Sequence, residues 1–103
     1  LRELTLEKND ISVEGSVALA NALGANDILH KLILKGNNIG DGGALAMGEM
    51  LKNNKTLITL DLSSCSIGNE GGAALGYGLG QNSMLEQLNL DNRCIKEQIT
   101  EST

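Results

Sequence analysis

The apolar positions of the chain follow two rhythms in turn. At Leu4-Thr5-Leu6 leucines alternate with a polar residue, which predicts a short strand with both leucines on one face. Further along, the spacing changes to three and four residues, which predicts one stripe of a helix. The stripe recurs three times, as Gly15, Ala18, Leu19, Ala22 and Leu23; as Gly43, Ala46, Met47, Met50 and Leu51; and as Gly71, Ala74, Leu75, Gly78 and Leu79. We expect its small residues to bring each helix close to the strand layer.

Both rhythms return every 28 residues. The recurring positions include the leucines Leu1, Leu29, Leu57 and Leu85, the leucines Leu4, Leu32, Leu60 and Leu88, and the isoleucines Ile11, Ile39, Ile67 and Ile95. A strand and a helix in 28 residues make a unit that cannot bury its own apolar face, so the units are expected to stack. Residues 1–103 are predicted to form one repeat domain, with units 1–28, 29–56, 57–84 and a partial unit 85–103.

One segment of each unit resembles the leucine-rich repeat. The pattern Leu1-x-x-Leu4-x-Leu6-x-x-Asn9-x-Ile11 carries this resemblance, and it recurs from residue 29 and from residue 57. The long helical half, with Asn38-Ile39-Gly40-Asp41-Gly42-Gly43, resembles the ribonuclease-inhibitor subtype, which also occurs in NOD-like receptors and Ran GTPase-activating proteins. The resemblance covers residues 1–95. It implies an α/β leucine-rich repeat solenoid, or horseshoe, with parallel strands on the concave face and helices on the convex face.

The resemblance also implies a structural ladder at one inward polar position. Asn9 and Asn37 occupy this position, and Cys65 replaces asparagine in the third copy. Each side chain is expected to bond the bend between strand and helix, and Cys65 to be buried and inert. In the fourth copy Arg93 stands there, and arginine has no acceptor for such bonds, so it should point outward. The short polar stretch 96–103 then predicts an incomplete terminal unit, and the chain is expected to be a fragment of a longer solenoid.

Composition and charge exclude several classes of function. The chain has 103 residues, a net charge of −5, 41% hydrophobic residues and one aromatic, Tyr77, which falls on the predicted outer helical surface. An acidic chain without stacking aromatics predicts no nucleic-acid partner. No apolar run approaches the ~20 residues that cross a bilayer, so no membrane association is expected. Two cysteines are too few for a disulfide framework, which favours a reducing, cytoplasmic setting.

No catalytic, metal or cofactor constellation is visible. A cysteine nucleophile needs a base and an orienting group nearby, and Cys65 and Cys94 have neither in the sequence pattern. A disulfide between them is disfavoured, because they stand one position out of phase. The glycine run 36–43 lacks the ending of a phosphate-binding loop, and His30 is a lone candidate ligand. Asn54-Lys55-Thr56 is a glycosylation sequence, but helix termination explains Asn54 better. The chain is therefore predicted not to be an enzyme, with no cofactor.

The outward strand positions are the candidate binding surface. They form columns across the stacked strands, and they are Glu3, Thr5 and Glu7; Lys31, Ile33 and Lys35; Thr59, Asp61 and Ser63; and Gln87, Asn89 and Asp91. In this stacking Glu3 faces Lys31 and Glu7 faces Lys35. Two interpretations remain open: the charges pair with one another, or they meet a protein partner with Ile33 as the one exposed apolar contact. Lys31, Ile33, Lys35, Thr59 and Asp61 are the expected central contacts.

The sequence thus favours a non-enzymatic protein–protein interaction module within a larger intracellular receptor or scaffold. The alternative is a structural spacer or assembly subunit that stacks end to end through open strand edges at residues 1–6 and 88–90. A third hypothesis is a GTPase-activating regulator of the Ran type, for which no activating residue can be matched.

Overall fold

Strands and helices alternate along the chain. The computed structural model describes residues 2–90 and the backbone of residues 93–94. In chain order the elements are β1 (Glu3–Thr5), α1 (Val13–Gly24), β2 (Lys31–Ile33), α2 (Gly40–Asn53), β3 (Thr59–Asp61), α3 (Asn69–Gly80), β4 (Gln87–Leu90) and β5 (Arg93–Cys94). Each helix follows the strand that the alternating leucines predict.

The strands form one sheet in chain order. β1 to β4 are parallel, and their register joins Glu3 to Lys31, Lys31 to Thr59 and Thr59 to Gln87. The predicted α/β arrangement with parallel strands is confirmed. β5 instead runs antiparallel to β4, with Leu90 opposite Arg93, so the chain reverses direction after β4. The predictions for Leu1, Asp91, Ile95, residues 96–103 and the side chains of Arg93 and Cys94 lie outside the described residues.

The core lies between the sheet and the helices. Alternation turns Leu32, Leu60 and Leu88 inward, and all three are fully buried beneath the helices. Leu4, at the same position of β1, is only partly buried. Within residues 2–90, β1 has a neighbouring strand on one side alone, which explains the difference.

The helices pack closely against one another, which corrects the predicted role of the small residues. A Cβ added to Gly48 would lie 2.5 Å from the Ala74 carbonyl oxygen, and one added to Gly78 would collide with the Gly48 carbonyl. These glycines therefore allow α2 to approach α3. Of the two, only Gly78 belongs to the predicted stripe, whose small residues were expected to bring the helix close to the strand layer. Ser16 and Ala20 of α1 are also buried, although they lie beside the predicted stripe.

Helix α3 begins at a cap that the preceding unit supplies. Its N-cap residue is Gly68, which has no side chain to accept the unpaired amides of the first turn. The Asp41 carboxylate of α2 takes that place, with Oδ1 accepting from the Gly68 N–H at 2.7 Å and the Gly71 N–H at 3.0 Å. One side chain thus fixes the start of α3 relative to α2.

Candidate protein-binding surface

The face of the sheet opposite the helices carries the predicted outward positions. We call it the sheet face, and within the described residues it comprises Glu3, Thr5, Glu7, Lys31, Ile33, Lys35, Thr59, Asp61, Ser63, Gln87 and Asn89. The glutamates, the lysines, Thr5 and Gln87 are exposed, whereas Thr59, Asp61 and Asn89 are half-buried. The side chains are therefore most exposed in the first two units of the sheet face, where the charged side chains are also concentrated.

Two sheet-face predictions need correction. Ile33 is half-buried and not the exposed apolar contact that was expected, because it lies between Thr5 and Asp61 on the neighbouring strands. Ser63 is only 8% exposed. Its side chain is short, and its carbonyl oxygen accepts from the Gly36 N–H at 3.0 Å, so Ser63 packs against the turn of the preceding unit. Neither residue offers a large contact to a partner.

The charges of the sheet face stand side by side without pairing. Glu3 is the strand partner of Lys31, and the Lys8 N–H donates to the Lys35 carbonyl. The glutamates of the first unit therefore lie next to the lysines of the second. Within residues 2–90, however, no ion pair joins Glu3 to Lys31 or Glu7 to Lys35. The ion pair found there joins Lys52 Nζ to Glu49 Oε2 at 3.4 Å, on the helix layer. The carboxylates and ammonium groups of β1 and β2 therefore keep their hydration.

Three other polar side chains of the sheet face, those of Asp61, Gln87 and Asn89, make local hydrogen bonds. Asp61 Oδ1 accepts from the Ser63 N–H at 2.9 Å, and Gln87 Nε2 donates to Asn89 Oδ1 at 3.2 Å. These bonds restrict the orientation of the side chains in the free chain. A partner that meets them loses little side-chain entropy on their account.

Asn37 ties the first two strand–helix turns together. Its side chain is 1% exposed, and Oδ1 accepts from the backbone amides of Asn9 and Ile11, both at 2.9 Å. Nδ2 donates to the carbonyls of Leu6 at 2.7 Å and Leu34 at 2.8 Å. All four hydrogen-bonding positions of the amide are in use, so Asn37 serves the fold and is not offered to a ligand.

The other two ladder residues behave differently from Asn37. Cys65 is buried, and its Sγ donates to the Leu34 carbonyl at 3.2 Å, which links the second and third turns. Asn9 is exposed, and its Nδ2 donates to the Glu7 carbonyl only two residues away. Within residues 2–90 no earlier turn lies beside Asn9, so it has no loop to tie.

A second asparagine ladder lies where the helices end. Asn54 Nδ2 donates to the carbonyls of Leu23 and Asn26 in the preceding turn, and Asn82 Nδ2 donates to those of Leu51 and Asn54. Sequence reasoning assigned these residues to helix termination alone. The signal for the ladder was present, because Asn26, Asn54 and Asn82 recur at the same interval as the first ladder.

Away from the sheet face, the described residues hold little that suggests a reaction centre. No three side chains of histidine, cysteine, aspartate or glutamate within the described ranges are grouped as metal ligands. Tyr77 is exposed on the helix layer as predicted, with Lys52 Nζ 5.4 Å from its ring centre. None of the helices in the described part of the chain has the length and apolar character needed to cross a membrane.

Comparison with known proteins finds a matching family model and a similar fold. The family model described as Leucine Rich repeat matches residues 25–48 and 53–76. None of the curated proteins compared with the chain matches it. Among solved structures, one described as "Leiomodin-1 Actin-Binding Site 2 (ABS2)" aligns over 99% of the chain with a TM-score of 0.82 and 24% identity. The alignment spans 60% of that chain's length, and at this identity the likeness is one of fold. Together with the parallel sheet and its packed helices, the two matched segments support a leucine-rich repeat protein.

Proposed function

We propose that the chain is a non-enzymatic interaction module that binds a protein partner through the sheet face. It forms part of a curved solenoid of 28-residue units, of the ribonuclease-inhibitor subtype, within a larger intracellular receptor or scaffold. Lys31, Lys35, Thr59 and Asp61 are its central contacts, and Ile33 contributes the apolar area that remains exposed.

The unpaired charges of β1 and β2 carry this proposal. Lys31 in β2 and Lys35 in the turn that follows it are both exposed, and no carboxylate within the described residues holds either of them in an ion pair. Both belong to the sheet face of the second unit, next to the first-unit glutamates Glu3 and Glu7. Exposed charges that match opposite charges on a partner select its orientation and speed its association.

An intracellular setting agrees with the chemistry of the cysteine that is described. Cys65 is buried, and its single S–H lies within hydrogen-bonding distance of two backbone carbonyls, those of Leu34 and Ser63. A cysteine in this role is compatible with the reducing interior of a cell, where thiols stay unpaired.

Actin is the first partner to test, because the solved structure with the same fold is described as an actin-binding site. The variant K31E/K35E should weaken the binding of monomeric actin, measured by fluorescence anisotropy, by about tenfold at low salt. The difference should shrink as salt is raised, since exposed charges are screened within about 10 Å at 0.1 M salt.

The matched control is K52E/K55E, which reverses two lysines of the same unit away from the sheet face. It should change the affinity by less than about twofold, because its charges lie outside the contact. Equal losses in the two variants would refute the sheet face as the contact. Absence of any binding by the unmodified chain would exclude actin as the partner.

A second candidate function is end-to-end assembly, and the exposed end at β1 favours it. Asn9 has no earlier turn to tie within residues 2–90. Gly15, Ala18 and Ala22 of α1 are exposed, whereas at the corresponding positions of α2 Gly43 and Met50 are buried and Ala46 is partly buried. A strand edge of this kind pairs readily with another strand.

Sedimentation velocity tests the assembly function. Between about 1 and 500 µM the mean sedimentation coefficient should rise, since an edge-to-edge contact of this size is weak. The substitution of Thr5 by proline should lower the self-association by removing a backbone donor at the open edge. A strictly monomeric chain over the whole range would contradict end-to-end assembly and leave the sheet-face proposal standing.

A further inference from the structure

The helix layer has a charge balance unlike that of the sheet face. Helices α1, α2 and α3 contain four acidic residues, Glu14, Asp41, Glu49 and Glu70, and one basic residue, Lys52. Lys52 already contacts Glu49 and the ring of Tyr77. The acidic charge that remains lies in the first turns of the three helices.

A groove between α2 and α3 combines two of these carboxylates with apolar side chains. It has a volume of about 200 Å³ and is lined by Asp41, Gly42, Leu45, Glu70 and Ala74. Leu45 is 57% exposed, which is unusual for a leucine in a repeat whose other leucines fill the core. Leu45 and Ala74 therefore form the apolar floor of the groove, next to two carboxylates, one from each helix.

The helix dipole explains the acids only in part. A carboxylate in the first turn stabilises a helix, and Asp41 also caps α3 through Oδ1. Both backbone bonds use the same oxygen, however, and Oδ2 lies beside Gly68 without taking part in the cap. Neither the dipole nor the cap accounts for the exposed leucine between the two carboxylates.

We propose that this groove is a second docking site, which takes a basic amphipathic segment of a protein partner. Arginine fits it best, because its aliphatic stem packs on Leu45 and Ala74 while the guanidinium reaches the carboxylates of Asp41 and Glu70. A neighbouring apolar residue of the same segment covers the rest of Leu45. The site lies on the opposite side of the chain from the sheet face, so the two surfaces can be occupied together.

The probe is a fluorescein-labelled, alanine-based helical peptide in which leucine and arginine stand four residues apart. Its binding is measured by fluorescence anisotropy. The unmodified chain should bind it saturably, and replacing each arginine of the peptide by glutamine should abolish most of the binding. The variant E70K should weaken binding about tenfold at low salt, because it places a cation at the docking site.

The matched control is E14K. Glu14 occupies the same position in α1 that Glu70 occupies in α3, so the two substitutions change the net charge and the helix dipole alike, but Glu14 does not line the groove. We expect E14K to weaken binding less than about twofold. Circular dichroism of both variants verifies that the helices remain folded.

A second pair of variants tests the apolar floor. L45S should weaken binding by about threefold to fivefold, whereas M84S, which removes an exposed apolar residue outside the groove, should leave it unchanged. The proposal is overturned if the glutamine peptide binds equally well, if E14K and E70K cause equal losses, or if no saturable binding occurs. It is also overturned if K31E/K35E alone alters the binding, because the peptide then occupies the sheet face.

Discussion

At the scale of the residue, a few polar side chains hold neighbouring turns together. Asn37 satisfies two amides and two carbonyls, and three of these four groups belong to other parts of the chain at sequence separations of 26 to 31. A buried backbone group without a partner costs about 1–3 kcal/mol. Such a residue therefore contributes far more to stability than its size suggests.

The substitution of Asn37 by alanine should lower the free energy of unfolding by about 3 kcal/mol, because it leaves several backbone groups unpaired at once. Asn9 is the matched control, since it occupies the corresponding position of the first unit and is exposed. N9A should cost no more than about 0.5 kcal/mol. Urea unfolding of both variants checks the difference, and equal losses would show that the hydrogen bonds of Asn37 are not what stabilises the turn.

At the scale of the element, the glycines of α2 and α3 have different roles although their sequence context is similar. A methyl group at Gly48 would meet the backbone of Ala74, which cannot move aside without shifting the helix. Gly72, in the first turn of α3, has nothing within 4 Å of the corresponding position. The contact between the two helices therefore constrains one glycine and leaves the other free to change.

These two glycines predict changes of opposite sign. G48A should destabilise the chain by about 1–3 kcal/mol, because forcing α2 and α3 apart costs more than the gain in helix propensity. G72A should stabilise it by up to about 1 kcal/mol through propensity alone. Thermal and urea unfolding measure both effects, and a stabilising G48A would mean that α2 and α3 do not pack at this distance.

The contrast also shows what the sequence can and cannot predict. The alternation at Leu4-Thr5-Leu6 and its later copies predicted each parallel strand, since a strand's two faces follow directly from a period of two. The burial of Ser16 and Ala20, the role of Gly48 and the partial burial of Ile33 were not predicted, because each depends on which neighbour a residue meets across the stack. The same limit applies to the sheet face, where the sequence placed Glu3 beside Lys31 correctly but left open whether they pair.

At the scale of the whole molecule, stability is graded along the stack. Each unit is stabilised by contacts with its neighbours, so a unit with neighbours on both sides is better protected than one at an end. β2 and β3 are flanked on both sides within residues 2–90, while β1 is flanked on one side. The leucines follow this order, with Leu32 and Leu60 fully buried and Leu4 partly buried.

Native-state hydrogen exchange should reveal this gradient. The amides of Leu34 and Thr59, which donate to the Asp61 and His30 carbonyls, should exchange at least about tenfold more slowly than those of Leu6 and Lys8. The latter two lie directly after β1, at the end of the stack, where the bonds to the second unit open without disrupting the rest of the sheet. Uniform protection across the four amides would indicate instead that the chain unfolds as one cooperative block.

The direction of the ladder bonds has a consequence for how the chain folds during synthesis. Asn37, Asn54, Cys65 and Asn82 each bond backbone groups of the turn that precedes them in the chain. Because a protein leaves the ribosome N-terminus first, each turn waits for roughly 30 further residues before its backbone groups find their partners. Backbone groups of each of these turns thus stay unpaired until the next unit has been made. The native structure therefore forms one strand–helix pair behind translation.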